Sequence, residues 1–235
     1  MTRKEAIHSH EDILSMLDTL LEEKKRFNWD SFYENRERKV PFFENLPDEN
    51  LADYLQRGWI KQGKALDLGC GPGRNALFLA RNGFRVDAVD SSAEAVRWGK
   101  ERTAGYPVRF IKENIFNLDT QAGSYDVVYD SGCFHHIAPH RRLSYLEILE
   151  HGLKPGGIFA LTCFAENGGL GGADISDWDV YRGMSLRGGL GFTEEKLKRI
   201  FSGFEVLEIR RMKDFPAGSG LFGYSDLWAG IFKKR

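Results

Sequence analysis

Apolar positions recur at two different periods along this chain, and the change of period divides it. Ile13, Leu14, Leu17, Leu20 and Leu21 form a stripe at helical spacing, preceded by Ser9 and Asp12 in the wording of a helix start. Trp29, Phe32 and Tyr33 make a shorter helical stripe, and Leu51, Tyr54 and Leu55 a third, with Pro47 at its opening and Gly58 at its end. Between them Val40-Pro41-Phe42-Phe43 is an aromatic connection. Residues 1–60 are therefore predicted to be a helical N-terminal extension belonging to the same domain as residues 61–235.

From Lys64 onward short apolar runs alternate with helical stripes. Strands are predicted at 65–68, 85–89, 108–111, 126–129 and 158–163, with two late ones near 204–211 and 227–232. Helices are predicted over 76–80, stopped by Asn82-Gly83, from a capping box of Ser91 with Glu94 to about Arg102, and over 141–150, ending at Gly152. Thr193 caps a last helix carrying Leu197, Ile200 and Phe201. Repeated alternation of this kind predicts an α/β fold, a doubly wound and mainly parallel sheet with helices on both faces. The glycine-rich stretch 167–191 is long for a loop in a compact domain, so it is a lid, a binding loop or disorder. Within it Trp178 and Tyr181 are candidates for reaching a substrate, and Arg182 and Arg187 are either solvated or partners for an anion.

Composition narrows the function classes. Hydrophobic residues make up 42% of the 235 and charged residues 29%, as in an ordinary soluble globular protein. Lys and Arg total 33 against 34 Asp and Glu, and residues 1–60 carry 9 basic and 13 acidic side chains. Neither half holds the cation excess that releases counterions from a polyanion, which argues against nucleic acid as a partner. No run approaches the roughly 18 apolar residues of a spanning helix, and the start lacks the apolar core of a secretory signal. Cys70, Cys133 and Cys163 are odd in number and far apart, without metal-ligand spacing, so reduced thiols in a cytoplasmic, metal-free protein are expected.

The strongest chemical signal is Asp67-Leu68-Gly69-Cys70-Gly71-Pro72-Gly73, a strand running into three alternating glycines before a helix. Glycine permits positive φ and close approach of a ligand to the backbone. Seventeen residues after Gly73 comes Asp90, ending the second strand, where a carboxylate can accept hydrogen bonds from a ribose diol. Together these features describe a nucleoside-cofactor site. Dinucleotide enzymes favour G-x-G-x-x-G around a pyrophosphate. Here the third glycine arrives one residue early, and Asp67 suits a cationic ligand better than a diphosphate.

In these motifs the chain resembles the class I S-adenosylmethionine-dependent methyltransferases. The resemblance is carried by 65–73, Val89-Asp90-Ser91, Asn114-Ile115, 125–130 and Leu153-Lys154-Pro155-Gly156-Gly157, in the family's order and spacing. It implies a seven-stranded Rossmann-like sheet with an antiparallel last strand, and S-adenosylmethionine as cofactor, released as S-adenosylhomocysteine. It further implies that Gly69, Cys70, Gly71 and Gly73 pass beneath the methionine and ribose, and that Asp67 helps hold the amino end. Asp90 would bind the ribose hydroxyls, Ser91 would pack on the adenine, and Asn114 with Ile115 would flank the adenine. Asp130 would stand beside the transferred methyl. Asp126, at the strand's start, is read as structural. The Trp-Asp-x-Phe-Tyr wording at 29–33 is loosely similar to the entry segments of the thiopurine and tellurite-resistance branches.

Methyl transfer from a sulfonium is an in-line displacement, in which alignment alone can supply about 7–11 kcal/mol. A base is needed only if the acceptor must lose a proton. His135 and His136, directly after the fourth strand, are the candidates, either as base and orienting group or as residues held by packing. No Asn/Asp-Pro-Pro-aromatic motif follows that strand, and no cysteine follows a proline, which with the neutral charge favours a small-molecule acceptor. Trp29, Tyr33, Phe42 and Phe43 are read as a lid over that acceptor, as packing of the extension, or both. The alternatives are a methyltransferase acting on protein or RNA, a non-catalytic S-adenosylmethionine-binding protein, and a nicotinamide dehydrogenase.

Overall fold

The computed structural model describes residues 6–23, 27–38, 40–216 and 218–235. Seven strands form one sheet: β1 (Lys64–Leu68), β2 (Arg85–Asp90), β3 (Val108–Lys112), β4 (Tyr125–Ser131), β5 (Leu153–Phe164), β6 (Glu205–Arg211) and β7 (Leu227–Lys233). Their spatial order is β3-β2-β1-β4-β5-β7-β6, and only β7 runs antiparallel to its neighbours. The expected doubly wound sheet with an antiparallel last strand is the one observed. The chain leaves β1 for β2 and β3 on one side, then returns to β4 on the other. That reversal opens a crevice at the C-terminal ends of β1 and β4.

The pleat assigns each strand residue a face, since side chains alternate along a strand. Leu66, Leu68, Val128, Phe159 and Leu161 face one core with Phe134, Tyr145, Phe201 and Phe232. Ala65, Val127, Tyr129, Ile158 and Ala160 face the other with Leu51, Tyr54, Leu79 and Phe84. Asp67 pairs with Tyr129 and Leu68 with Asp130, so Asp67 and Asp130 project from opposite faces. Asp126, read as structural, accepts from Lys64 N at 2.8 Å and meets Lys154 Nζ at 2.6 Å, tying β1, β4 and β5 together.

The helices are α1 (His10–Glu22), α2 (Trp29–Glu34), α3 (Glu49–Gln56), α4 (Arg74–Arg81), α5 (Ala93–Arg102), α6 (Arg142–Gly152), α7 (Asp177–Gly183) and α8 (Glu194–Ile200). Ser9 and Asp12 form the expected capping box of α1, and Thr193 caps α8 through Lys196 N. The cap of α5 is Ser92, not Ser91: its hydroxyl accepts from Ala95 N at 3.1 Å. A box requires the acid three residues past the cap, and from Ser92 that position is Ala95, so Glu94 turns to Arg97 instead. The stretch 167–191 is more ordered than its composition predicts. Ser176 caps α7, Val180 is buried, and backbone bridges join Ala165 to Phe192 and Ala173 to Leu190.

Candidate active site

The glycine loop leaves β1 at the crevice and enters α4. Gly69, Gly71 and Gly73 all have positive φ, at 63°, 50° and 72°. A side chain at 69 would collide with Cys133. A Cβ at 71 would lie 2.9 Å from the Tyr33 hydroxyl. The loop is therefore roofed on two sides, by the turn after β4 and by α2. Asp90 braces it from β2: Oδ2 accepts from Gly71 N and Oδ1 from Ser92 N, both at 2.8 Å. Cys70 is half-buried beside this loop, where burial pushes its thiol well above the usual range.

Three carboxylates sit in or under the crevice. Burial pushes the Asp67 carboxyl well above the ordinary range, with Arg74 acting against that, and Asp67 Oδ2 has no donor among the described residues. Asp90 is raised by burial, opposed by the Ser92 and Gly71 amides. Asp130 is also raised by burial but points to the opposite face of the sheet. Its Oδ1 accepts from Cys133 N (2.9 Å) and Phe134 N (3.2 Å), and its Oδ2 from the Tyr145 hydroxyl at 2.8 Å. Burial holds its pKa at about 7. The pleat turns its carboxylate away from Asp67 toward α6, and it shapes the turn that carries the histidines.

The aromatic segment lies over the crevice. Tyr33 is buried against Gly71, and Trp29 meets His136 edge-on with ring centroids 5.0 Å apart. Phe43 does a different job, stacking on Tyr33 and meeting Trp98 of α5 edge-on, while Phe42 packs against Phe32. Asp30 completes the attachment by accepting from Ser92 Oγ at 2.7 Å. The two histidines separate in the same way. His136 is half-buried and turned to Trp29. His135 is fully enclosed, stacked on Phe164 at 3.6 Å, and its Nδ1 accepts from Phe164 N at 3.2 Å. Burial lowers its pKa well below the usual histidine value. With Nδ1 occupied, Nε2 carries the proton, so His135 has no lone pair to receive another. Of the two roles expected for His135, packing is the one its stacking and hydrogen bond support.

The remaining expected residues are dispersed. Asn114 is exposed and caps the turn Ile115–Asn117 through Phe116 N, with Ile115 buried beneath. Ser91 is exposed at the end of β2. Trp178 is 72% exposed on α7. The Tyr181 hydroxyl is held by His140, at 2.9 Å from N and 2.8 Å from Nδ1, and His140 in turn meets Asp18 of α1. Through His140, Tyr181 thus joins α7 to Asp18 of α1, with Trp178 exposed on the same helix. Arg182 pairs with Asp179 on the same surface.

Comparison with known proteins places the chain in a family. A methyltransferase-domain family model matches residues 65–157. An uncharacterized methyltransferase of Schizosaccharomyces pombe is 32% identical over 116 residues, 48% of this chain and 79% of the relative. The chain belongs to the class I S-adenosylmethionine-dependent methyltransferases. An uncharacterized methyltransferase of Synechocystis is 34% identical over 121 residues, and there the match spans 51% of this chain and 53% of the relative. The fold alone is shared with the Burkholderia thailandensis 1,6-didemethyltoxoflavin-N1-methyltransferase, solved with 1,6-didemethyltoxoflavin and S-adenosylhomocysteine. Its TM-score is 0.64 at 21% identity, covering 99% of this chain and 93% of that one.

The methyltransferase's own residues fit its cofactor. The donorless Asp67 Oδ2 calls for a cation, and a loop of positive-φ glycines gives the backbone approach that a nucleoside requires. Sequence reasoning missed several supporting residues. Asp30, Asp48, Ser131 and Tyr145 act through contacts far apart in the chain. Arg74, directly behind Gly73, was open to detection as a cation adjoining the loop.

Proposed function

We propose that this methyltransferase moves the sulfonium methyl to a small-molecule acceptor held between the glycine loop and the aromatic segment. The observation that supports this reading is the packing of Tyr33 on Gly71 and of Trp29 on His136, which sets aromatic rings over the glycine loop and the histidine turn. Aromatic side chains with a few polar groups among them suit the binding of small ligands.

S-adenosylmethionine, when bound, supplies an activated methyl that needs no covalent enzyme intermediate. The chain's part is to align and to exclude water. Gly69, Gly71 and Gly73 cradle the ligand, Asp67 takes the positive end, and Asp90 takes the ribose hydroxyls while bracing the loop. Ser91, Asn114 and Ile115 border the adenine end. His136 faces the cleft and orients the acceptor or receives its proton. Trp29 and Tyr33 contact the acceptor, with Phe42 and Phe43 holding them in place.

A panel of thiols, phenols, amines, carboxylates and metalloid oxyanions, read by homocysteine release, tests this. Turnover of at least one small acceptor is expected. Methylation confined to bulk RNA or protein would overturn the small-molecule reading.

A further inference from the structure

A cavity of about 640 Å³ opens at the N-terminal ends of β1, β2 and β3, the edge of the sheet opposite the glycine loop. Strand register puts its charged lining on one face. Lys64 pairs with Arg85, Leu66 with Asp87, and Asp87 with Arg109, so the four charged residues share the face that carries Leu66. The helices packed on β2 and β3, α4 and α5, lie on the other face with Val86 and Phe110. The connection from β3 to β4 holds no helix longer than the turn Ile115–Asn117, which leaves this side of the two strands without a crossover helix.

Asp87 is the floor of the charged wall, and both of its oxygens are occupied. Oδ1 accepts from Arg109 Nε at 2.7 Å, and Oδ2 from the Tyr125 hydroxyl at 2.8 Å with Lys64 Nζ at 3.1 Å. Its side chain is 7% exposed, whereas that of Arg109 is 67% exposed. Arg85 is exposed beside them, and its guanidinium meets no carboxylate among the described residues. Three cations therefore gather around one carboxylate, in a chain with 33 basic against 34 acidic side chains. A sheet face left to water needs polar side chains, but water is indifferent to their sign, and gathering like charges is unfavourable. The local excess of two positive charges calls for an anion.

We propose that this cavity is a second ligand site, separate from the cofactor crevice, for a small phosphomonoester that carries an aromatic group. A phosphomonoester bears close to two negative charges at neutral pH, which matches the excess, and arginine forks suit its oxygens. Arg85 and Arg109 take the phosphate, with Lys64 beside them. The aromatic group lies against Tyr106 and Pro107, which form the apolar wall of the cavity. Tyr106 is 40% exposed, and its hydroxyl is steadied by Arg81 Nε at 3.3 Å. The cavity's volume falls within the roughly 300–1,000 Å³ of small-molecule sites.

Calorimetric titration of the full chain tests the site, with and without saturating S-adenosylhomocysteine. The probes are phenyl phosphate and its two halves, inorganic phosphate and phenol. Phenyl phosphate is expected to bind saturably under both conditions, inorganic phosphate at least about fivefold more weakly, and phenol not measurably. Both arginines are exposed, so the double variant Arg85→Gln, Arg109→Gln should fold. It is expected to lose at least about tenfold in phenyl phosphate affinity while S-adenosylhomocysteine affinity stays within about twofold. Tyr106→Ala should bring phenyl phosphate down to the level of inorganic phosphate. Absence of saturable binding, or equal affinity in the double variant, would overturn the site. Binding abolished by S-adenosylhomocysteine would overturn it too, by moving the probe to the cofactor crevice. An undiminished advantage of phenyl phosphate in Tyr106→Ala would overturn the aromatic part of the assignment.

Discussion

The Tyr145 hydroxyl donates to Asp130 Oδ2 at 2.8 Å, and neither residue has any exposed surface. This pair, on the face of the sheet opposite Asp67, fixes the turn from which Cys133, His135 and His136 project. A buried carboxylate held at about 7 makes the turn sensitive to pH.

The sign follows from linkage. Asp130 has its folded pKa raised above the unfolded value, so its contribution to stability is full below about pH 4 and is lost as pH rises toward 7. Stability is expected to fall by up to about 1.4 kcal/mol per pH unit across the middle of that window from this group. Asp67 shifts in the same direction, so the comparison with Asp130→Asn isolates the Asp130 part. Tyr145→Phe removes the strongest interaction favouring the carboxylate and should move the window to higher pH. Urea melts between pH 4.5 and 7.5 check this; identical slopes in wild type and Asp130→Asn would refute it.

The adjacent histidines should separate cleanly in mutation. His135 fills space between Phe164 and the Gly189–Leu190 backbone and accepts a buried amide, so His135→Ala is expected to destabilise the fold by about 2–3 kcal/mol. His136 meets Trp29 edge-on. His136→Ala should change stability by less than about 1 kcal/mol while lowering kcat at least about tenfold on any acceptor that must lose a proton. Thermal melts and steady-state kinetics on the two variants test the assignment, and the reverse pattern would exchange their roles.

Gly71 is where the glycine loop meets Tyr33 of the aromatic segment. Gly71→Ala adds a Cβ 2.9 Å from the Tyr33 hydroxyl at a residue with φ of 50°. The left-handed backbone costs a non-glycine residue about 1 kcal/mol or more, and the contact adds to it. Tyr33→Phe removes the oxygen but not the backbone strain. The double variant is therefore expected to regain part of the S-adenosylhomocysteine affinity lost in Gly71→Ala, and a double-mutant cycle measures that coupling. Zero coupling would mean that Tyr33 yields without resistance.

Local patterns carried most of the fold into view. The alternation of strands and helices, the three glycines, Asp90 and the Trp29–Tyr33 stripe are all read from neighbours in the chain. The pleat was legible too, since Asp67 aligned with Tyr129 already places Asp130 on the opposite face, but only once the register is known. Adjacency hid the difference between His135 and His136, because consecutive residues on a tight turn diverge. Ser176 and Val180 organise α7 inside a glycine-rich stretch whose composition reads as loop. Asp48, which joins α3 to Arg74, Asn75 and Tyr129, depends on contacts 26 to 81 residues away and leaves no local trace.

Asp90 ties the glycine loop to the aromatic segment, and in the proposed function it also takes the ribose of the cofactor. It accepts from Gly71 N and Ser92 N, and Ser92 Oγ donates to Asp30 of α2. Asp90→Ala leaves two buried amides without acceptors and removes the expected ribose partner. S-adenosylhomocysteine affinity should fall by about 1–3 kcal/mol, roughly 5- to 150-fold, with a measurable loss of thermal stability. Asp90→Asn keeps one carbonyl oxygen, which can satisfy a single amide, and its NH₂ repels the other. It should therefore lose binding while recovering part of the stability. Calorimetry and melting on both variants decide the matter: affinity unchanged in Asp90→Ala would remove Asp90 from the cofactor site and leave it only as the brace of the glycine loop.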